Sequence, residues 1–556
     1  MEHYHFNILS RRSFLDKSMK TGLAVALSTL VDIPMVMKRA LAEGSIGLNG
    51  KKLLFIWLRG ANDGLNSVIP IQDGAYATNR PQIRVPADSP SMYTATTGGA
   101  DFPLGTATDT YDYKMGITLR NGFAALHPAL KFLAPVYNAG DLALIHRVAY
   151  PRQSRSHFDS QNYWENGNPN NNLSKDGIFY RTMLEYIRDQ GTAASPLTGV
   201  SIQGSLPLIL RGSEAPMTNL TDPLRYDLLG IPNDANGNLK ATNYLNQANS
   251  FIVPDKDNRT LLQLQYENLR STLTVFAGID FTENGNTYQD DEVTDGDSDW
   301  ANAHGGRGYY LFPTNSNKNG GWLRPGGQQV FNKYAVPTSL HSFFNNLKAA
   351  ALVLNNTDAI IAGTEYGGFD THSNQQADIT NGAHPGLNRG IAWAIYGLRK
   401  YFSLYANKVN WNNVVVVTLS EFGRTTIQND TLGTDHAEAS AMFVAGGGIQ
   451  GYGKGTPVRT SGVFGCSPSD SIPWVPGSGG SMFGIDGRYL KRIYDFRSVL
   501  GEIIRKHLGA SDAQLGRIIP GYLDEGNQHL RLGGTVLAPT YDRINTQIKG
   551  EPGILV

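Results

Sequence analysis

The chain has 556 residues, and its 48 Lys plus Arg balance 48 Asp plus Glu to a formal net charge of zero. That balance leaves no basic stripe for nucleic acid or an anionic membrane surface. Cys466 is the single cysteine, which excludes an intramolecular disulfide and leaves stability to a buried core.

The N-terminus reads as an address. Ser10-Arg11-Arg12-Ser13-Phe14-Leu15 has the form of a twin-arginine signal, followed by an apolar stretch from Gly22 to Met37 and a small-x-small site at Ala40-Leu41-Ala42. The expectation is a signal over residues 1–42, a partnership with the twin-arginine export machinery, and a periplasmic or secreted mature chain of residues 43–556. No later segment has the length and apolarity of a membrane span.

Leu53 to Leu58 reads as a buried strand that exits through Arg59-Gly60-Ala61-Asn62-Asp63-Gly64. Phe123 to Asn138 has helical spacing, bent at Pro135. Leu142 to Val148 is a second strand, leading into Ser154-Arg155-Ser156-His157 and a helix from Phe158 to Glu165, with Ser156 near its N-cap. Residues 212–337 are polar and aperiodic over much of their length, although Leu261 to Phe276 has helical spacing; this segment reads as an elaboration or lid. The core resumes with a helix from Ser339 to Leu354, a strand from Ala359 to Ala362 and a helix from Gly390 to Phe402. A strand follows from Val414 to Leu419, another from Met442 to Val444, and a helix from Phe496 to His507. Strands alternating with helices predict a single α/β domain with a mostly parallel sheet between helices.

Strand ends and nearby loops deliver the chemistry. Asp63 follows the first strand, and Ser156 and His157 follow the second. Asp370 and His372 sit in Gly367-Gly368-Phe369-Asp370-Thr371-His372. Glu421 and Arg424 follow Leu419, and Asp435 and His436 come soon after. Each alone has a bland explanation: a turn residue, a surface loop, an ion pair of Glu421 with Arg424, or a hydrogen-bonded Asp435-His436 pair. Together, carboxylates and imidazoles drawn from separate strand ends suit a metal site held by rigid elements. Two ions about 3.5–4 Å apart can clamp an in-line displacement, and a metal can activate a serine hydroxyl. Arg424 offers a planar fork of donors for a tetrahedral oxyanion.

These stretches, with Leu58-Arg59-Gly60-Ala61-Asn62-Asp63-Gly64-Leu65-Asn66 and Arg155-Ser156-His157-Phe158, resemble a bacterial family named as domain of unknown function, number 1501. Its members typically carry a twin-arginine signal and group with the alkaline phosphatase and sulfatase superfamily. The resemblance covers most of the mature chain. It implies an alkaline phosphatase-like sandwich and a hydrolase of phosphate or sulfate esters with two divalent ions, whether Zn, Mn, Mg or Ca. A small anionic ester or a polysaccharide-derived substrate would suit such a site. Asp63, Ser156, Asp370 with His372, and His436 can be laid on the superfamily order. Either Glu421-Phe422 or Asp435-His436 takes the place of its Asp-His pair, and Ser154 is an alternative nucleophile to Ser156. A secreted binding or assembly protein that keeps the fold without turnover is the competing expectation.

Other motifs fall short. Cys466-Ser467-Pro468-Ser469-Asp470 lacks the arginine of a formylglycine motif, Gly446-Gly447-Gly448 lacks nucleotide-binding spacing, and the acidic run from Asp290 to Asp299 lacks the rest of an EF-hand.

Overall fold

The computed structural model describes residues 46–86, 115–119, 121–190, 197–215, 217–223, 272–282, 288–290, 309–315, 336–375, 382–466, 489–523, 529–536 and 546–556, with Asn243 and Gln247 singly. The expected export signal, most of 212–337, nearly all of the acidic run and Ser467–Asp470 lie outside these residues. Among the described residues no helix is long and apolar enough to cross a membrane.

Nine strands form the central sheet: Lys52–Leu58 (β1), Leu142–Ala149 (β2), Gly199–Ile202 (β3), Thr218–Leu220 (β4), Ile361–Tyr366 (β5), Val414–Leu419 (β6), Ser440–Ala445 (β7), Val463–Phe464 (β8) and Tyr494–Asp495 (β9). Their order is β8-β2-β7-β6-β1-β5-β3-β4, with β9 also beside β2. β7 runs antiparallel to both of its neighbours, and the other pairings are parallel. All six residues of β6 are buried, as a strand covered on both faces requires.

Alternation sends the side chains of each strand into two separate cores. Leu54, Ile56, Leu58, Val414 and Val416 join one core with the helices His341–Asn356 and Ala383–Lys400. Leu53, Phe55, Trp57, Val415, Val417 and Leu419 join the other with the helices His157–Asn166, Ile178–Gln190 and Phe496–Glu502. The expected mixed α/β architecture, a mostly parallel sheet between helices, is what the chain adopts.

One expected element differs. In place of a helix from Phe123 to Asn138, Ala124–Leu126 pairs antiparallel with Val68–Pro70, a 3-10 turn covers Pro128–Leu130, and the helix is confined to Leu133–Asn138. Pro135 fits there because the first turn of a helix needs no amide donor. The apolar run up to Leu126 is satisfied by a strand partner instead of a helix face.

Because β1, β2, β5 and β6 are mutually parallel in direction, their carboxyl ends share one edge of the sheet. The antiparallel β7 begins at that edge, so the segment ahead of Ser440 arrives there too. Ligands bind outside the carboxyl ends of such strands.

Candidate metal centre

Local structure at this edge is tightly specified. Gly60, just past β1, has φ +109°, and a Cβ there would overlap the backbone amide of Asp370. Glycine thus lets the loops after β1 and β5 touch. A Cβ at Gly433 would likewise overlap the His372 carbonyl. Arg424 pairs with His436 in a short antiparallel ladder, and Thr425 N donates to Asp435 O at 2.9 Å, which fixes the approach of His436. Asn429 and Thr431 side chains both donate to His372 O, at 2.9 and 2.7 Å.

Four side chains from three segments meet in the space these loops define. His436 Nε2 lies 3.1 Å from Asp370 Oδ1, and His372 Nε2 lies 3.0 Å from the same oxygen. The two Nε2 atoms are 2.9 Å apart. His157 Nε2 lies 3.5 Å from Asp370 Oδ2. His157, Asp370 and His436 each place one ligand atom within 4.8 Å of the others.

The outer ring nitrogens decide which way the lone pairs face. His157 Nδ1 is 2.8 Å from Glu421 Oε1, and His436 Nδ1 is 2.9 Å from the Arg155 carbonyl oxygen. A carboxylate and a carbonyl only accept, so both Nδ1 atoms carry the proton in the neutral rings and both Nε2 lone pairs face Asp370. His372 Nδ1 lies 3.5 Å from Asp435 Oδ1, a looser contact at the solvent edge.

The charges agree with this arrangement. Burial favours protonation of Asp370, yet Arg424, through a hydrogen bond and its charge, together with His436 and His372, brings its pKa down to about 2. Burial also opposes ionisation of Glu421, but its hydrogen bonds from His157, Gln161 and Gly60 keep it below its ordinary value. The bond to Glu421 raises the pKa of His157 against the effect of burial. Burial lowers that of His436.

The residues fit a metal ion. His157 Nε2 is buried and has no hydrogen-bond partner among the described residues. Protons cannot satisfy a triangle of Asp370, His372 and His436 atoms through three linear bonds, whereas a cation held by Asp370 and His436 leaves only the His372–Asp370 contact for a proton to bridge. A tetrahedral zinc ion, with bonds of about 2.0–2.1 Å, spaces its ligand atoms by about 3.3 Å. The separations of 3.1 and 3.5 Å from Asp370 to His436 and His157 lie on either side of that value.

The other expected site residues are placed elsewhere. Asp63 is buried as the cap of the turn Gly64–Ser67, accepting from Leu65 N and Asn66 N at 3.1 and 3.3 Å. Its Oδ2 takes Arg80 Nη1 at 2.6 Å and Gln375 Nε2 at 2.5 Å. Both oxygens of Asp63, expected as a metal ligand, are thus taken up by the protein, and the structure does not bring it into the group around Asp370. Glu421 supports His157 through Oε1, while its Oε2 is buried without a hydrogen-bond partner among the described residues. Asp435 contacts His372 and accepts from Asn429 Nδ2 at 3.2 Å, outside the group that faces the ion.

Arg424 is fully buried and turned inward. It donates from Nε to Ala61 O, from Nη1 to Thr434 O, and from Nη2 to Gly60 O, Phe369 O and Asp370 Oδ1. These bonds tie the loops after β1 and β5 together, and the donors expected to meet an oxyanion are used in this brace. Ser156 is exposed, and its Oγ accepts from Asp159 N at 3.4 Å as an ordinary cap, with no base in contact among the described residues. Ser154 Oγ accepts from Ser156 N at 3.2 Å.

Sequence reasoning missed Arg80, Gln375, Gln161 and the Arg155 carbonyl. Only Gln161 carried a signal, since it lies one helical turn after His157 on the same face.

A family described as "Protein of unknown function (DUF1501)" matches residues 235–456. This supports the family resemblance. The matched span holds Asp370, His372, Glu421, Arg424, Asp435 and His436, but not Asp63, Ser156 or His157. No curated protein and no solved structure matches the chain.

Proposed function

We propose that this protein is an exported metal-dependent hydrolase of phosphate or sulfate esters, built on an alkaline phosphatase-like sandwich. The observation that carries the reading is the convergence of His157, Asp370 and His436 Nε2 and carboxylate atoms, each held from behind by Glu421, Arg424 or the Arg155 carbonyl. Such outer partners set ligand orientation in metal sites. Three protein ligands with an open position are the catalytic arrangement. Two imidazoles with one carboxylate favour zinc or manganese over magnesium or calcium.

The reading assigns a single ion, because His157, Asp370 and His436 form the one converging group among the described residues and both oxygens of Asp63 are engaged by the protein. That ion would supply Lewis-acid polarisation of the ester oxygen and neutralise developing charge. His372, 44% exposed and backed by Asp435, is positioned to accept and return a proton at Nε2. The reading takes water as the attacking group, since no base contacts Ser156 Oγ among the described residues.

Elemental analysis after exposure to zinc or manganese is expected to find about one ion per chain. His436→Ala loses the ion. His372→Ala keeps it, while hydrolysis of aryl phosphates or sulfates falls by about a hundredfold or more. Protein that stays metal-free, or hydrolysis that survives in His436→Ala, sinks the reading. The competing reading, a secreted binding or assembly protein, draws on the merely structural placement of Ser156. It predicts bound metal without turnover.

A further inference from the structure

Arg155 and Phe158 lie on either side of Ser156-His157 in the chain, and both side chains are exposed. The Arg155 carbonyl holds His436, which places the residue at the centre's rim, while its side chain is 48% exposed. The guanidinium lies over the Tyr489 ring at 4.8 Å and donates from Nη1 to the Tyr489 hydroxyl at 2.6 Å. Its Nε is 3.7 Å from Glu438 Oε1, beyond hydrogen-bond length. The stacking ring therefore fixes the plane of the guanidinium, while most of its donors have no protein acceptor among the described residues. Arg424, by contrast, is consumed by carbonyls.

Phe158 is 85% exposed on the first turn of its helix, and Leu173 is 84% exposed in the following loop. Asn172 Nδ2 donates to Asp159 Oδ1 at 3.2 Å, which draws that loop toward the same first turn. Phe158 belongs to no buried core cluster among the described residues, and it directly follows His157, whose Nε2 lies 3.5 Å from Asp370.

We infer that Arg155 and Phe158 form the substrate-recognition rim of the metal centre: Arg155 takes the anionic oxygens of the ester, and Phe158 packs against a flat ring in its leaving group. The inference rests on the metal-centre reading and narrows its substrates to esters of ring-bearing alcohols. A preoriented guanidinium recognises two oxygens of a tetrahedral anion at once, and an aromatic face adds affinity for an aryl or sugar ring without distinguishing its substituents. Both groups lie outside the set that holds the ion.

The test uses purified zinc-loaded protein and calorimetric titration with inorganic phosphate and with inorganic sulfate. Arg155→Met is expected to keep zinc affinity and thermal stability while affinity for the anion it prefers falls roughly 10- to 100-fold. Arg155→Lys recovers part of that loss, because a point charge lacks the fork. Phe158→Ala leaves anion and zinc affinity unchanged. It raises KM for an aryl ester about threefold to tenfold relative to a short alkyl ester of the same acid, with kcat little changed. Zinc binding with anion affinity unchanged in Arg155→Met, or with neither anion bound by the unsubstituted protein, overturns the inference alone. So does an equal KM change for aryl and alkyl esters in Phe158→Ala. Failure of the unsubstituted protein to bind zinc overturns the underlying reading and this one with it.

Discussion

Asp63 and Glu421 are both buried acids just past strand ends, and their partners separate their roles. Asp63 is paired with Arg80, and both side chains are essentially inaccessible. Asp63→Asn leaves a buried guanidinium without its counter-charge. It is expected to lower unfolding free energy by about 3–5 kcal/mol in denaturant titration, with zinc affinity in the folded protein unchanged. A large loss of zinc affinity at full folding would return Asp63 to the ligand set. Glu421→Gln keeps an acceptor for Gly60 N but weakens the hold on His157 Nδ1. Removing such an outer partner typically costs 10- to 100-fold in metal affinity, which zinc titration of the variant should show. Unchanged affinity would mean that His157 does not face the ion.

The helix His157–Asn166 links the site to the fold. Its N-cap is Ser156, its C-cap is Gly167 in the left-handed region at φ 66°, and Trp164 packs its other end against Phe496. Ser156→Ala removes a cap bond that is long at 3.4 Å, so the cost should fall low in the usual range, about 0.5–1 kcal/mol. Thermal melting should register that small loss while ester hydrolysis persists. If hydrolysis vanished with the fold intact, Ser156 would be the nucleophile after all. At this scale the strands were the most readable elements. Val414–Leu419 is a β-branched run stopped by Ser420 and Glu421, and it forms β6 with those bounds. The helix read from Phe123 failed because its apolar residues found a strand partner nearly sixty positions earlier in the chain, which local periodicity cannot show.

Across the whole molecule, stability depends on histidines that the site does not use. His146, His384 and His507 are held neutral by burial, which brings each pKa from 6.5 down to about 4. The unfolded chain therefore binds more protons than the folded one between these values. Stability is complete above about pH 6.5 and declines as pH falls toward about 4, by up to about 1.4 kcal/mol per unit for each histidine. Urea midpoints measured across that window should drop steeply. His507 Nε2 lies 2.9 Å from the Lys52 carbonyl, a bond glutamine can replace, so His507→Gln should flatten the slope by about one proton. A flat profile in the parent protein would contradict this account.

Charge balance, the buried strands and the clustering of Asp370, His372, Glu421, Asp435 and His436 at strand ends were determined by the sequence alone. They follow from local patterns: apolar runs, breakers, and polar groups too costly to bury without purpose. The tertiary structure decided how those groups divide their work. Asp63 and Arg424 resemble site residues in the chain, but Arg80 saturates the first and backbone carbonyls absorb the second. Those partners lie at sequence separations from 10 to more than 300 residues, and only packing the loops after β1, β5 and β6 against one another brings them into reach. The same packing turned three imidazoles toward one carboxylate, which no spacing in the chain encodes.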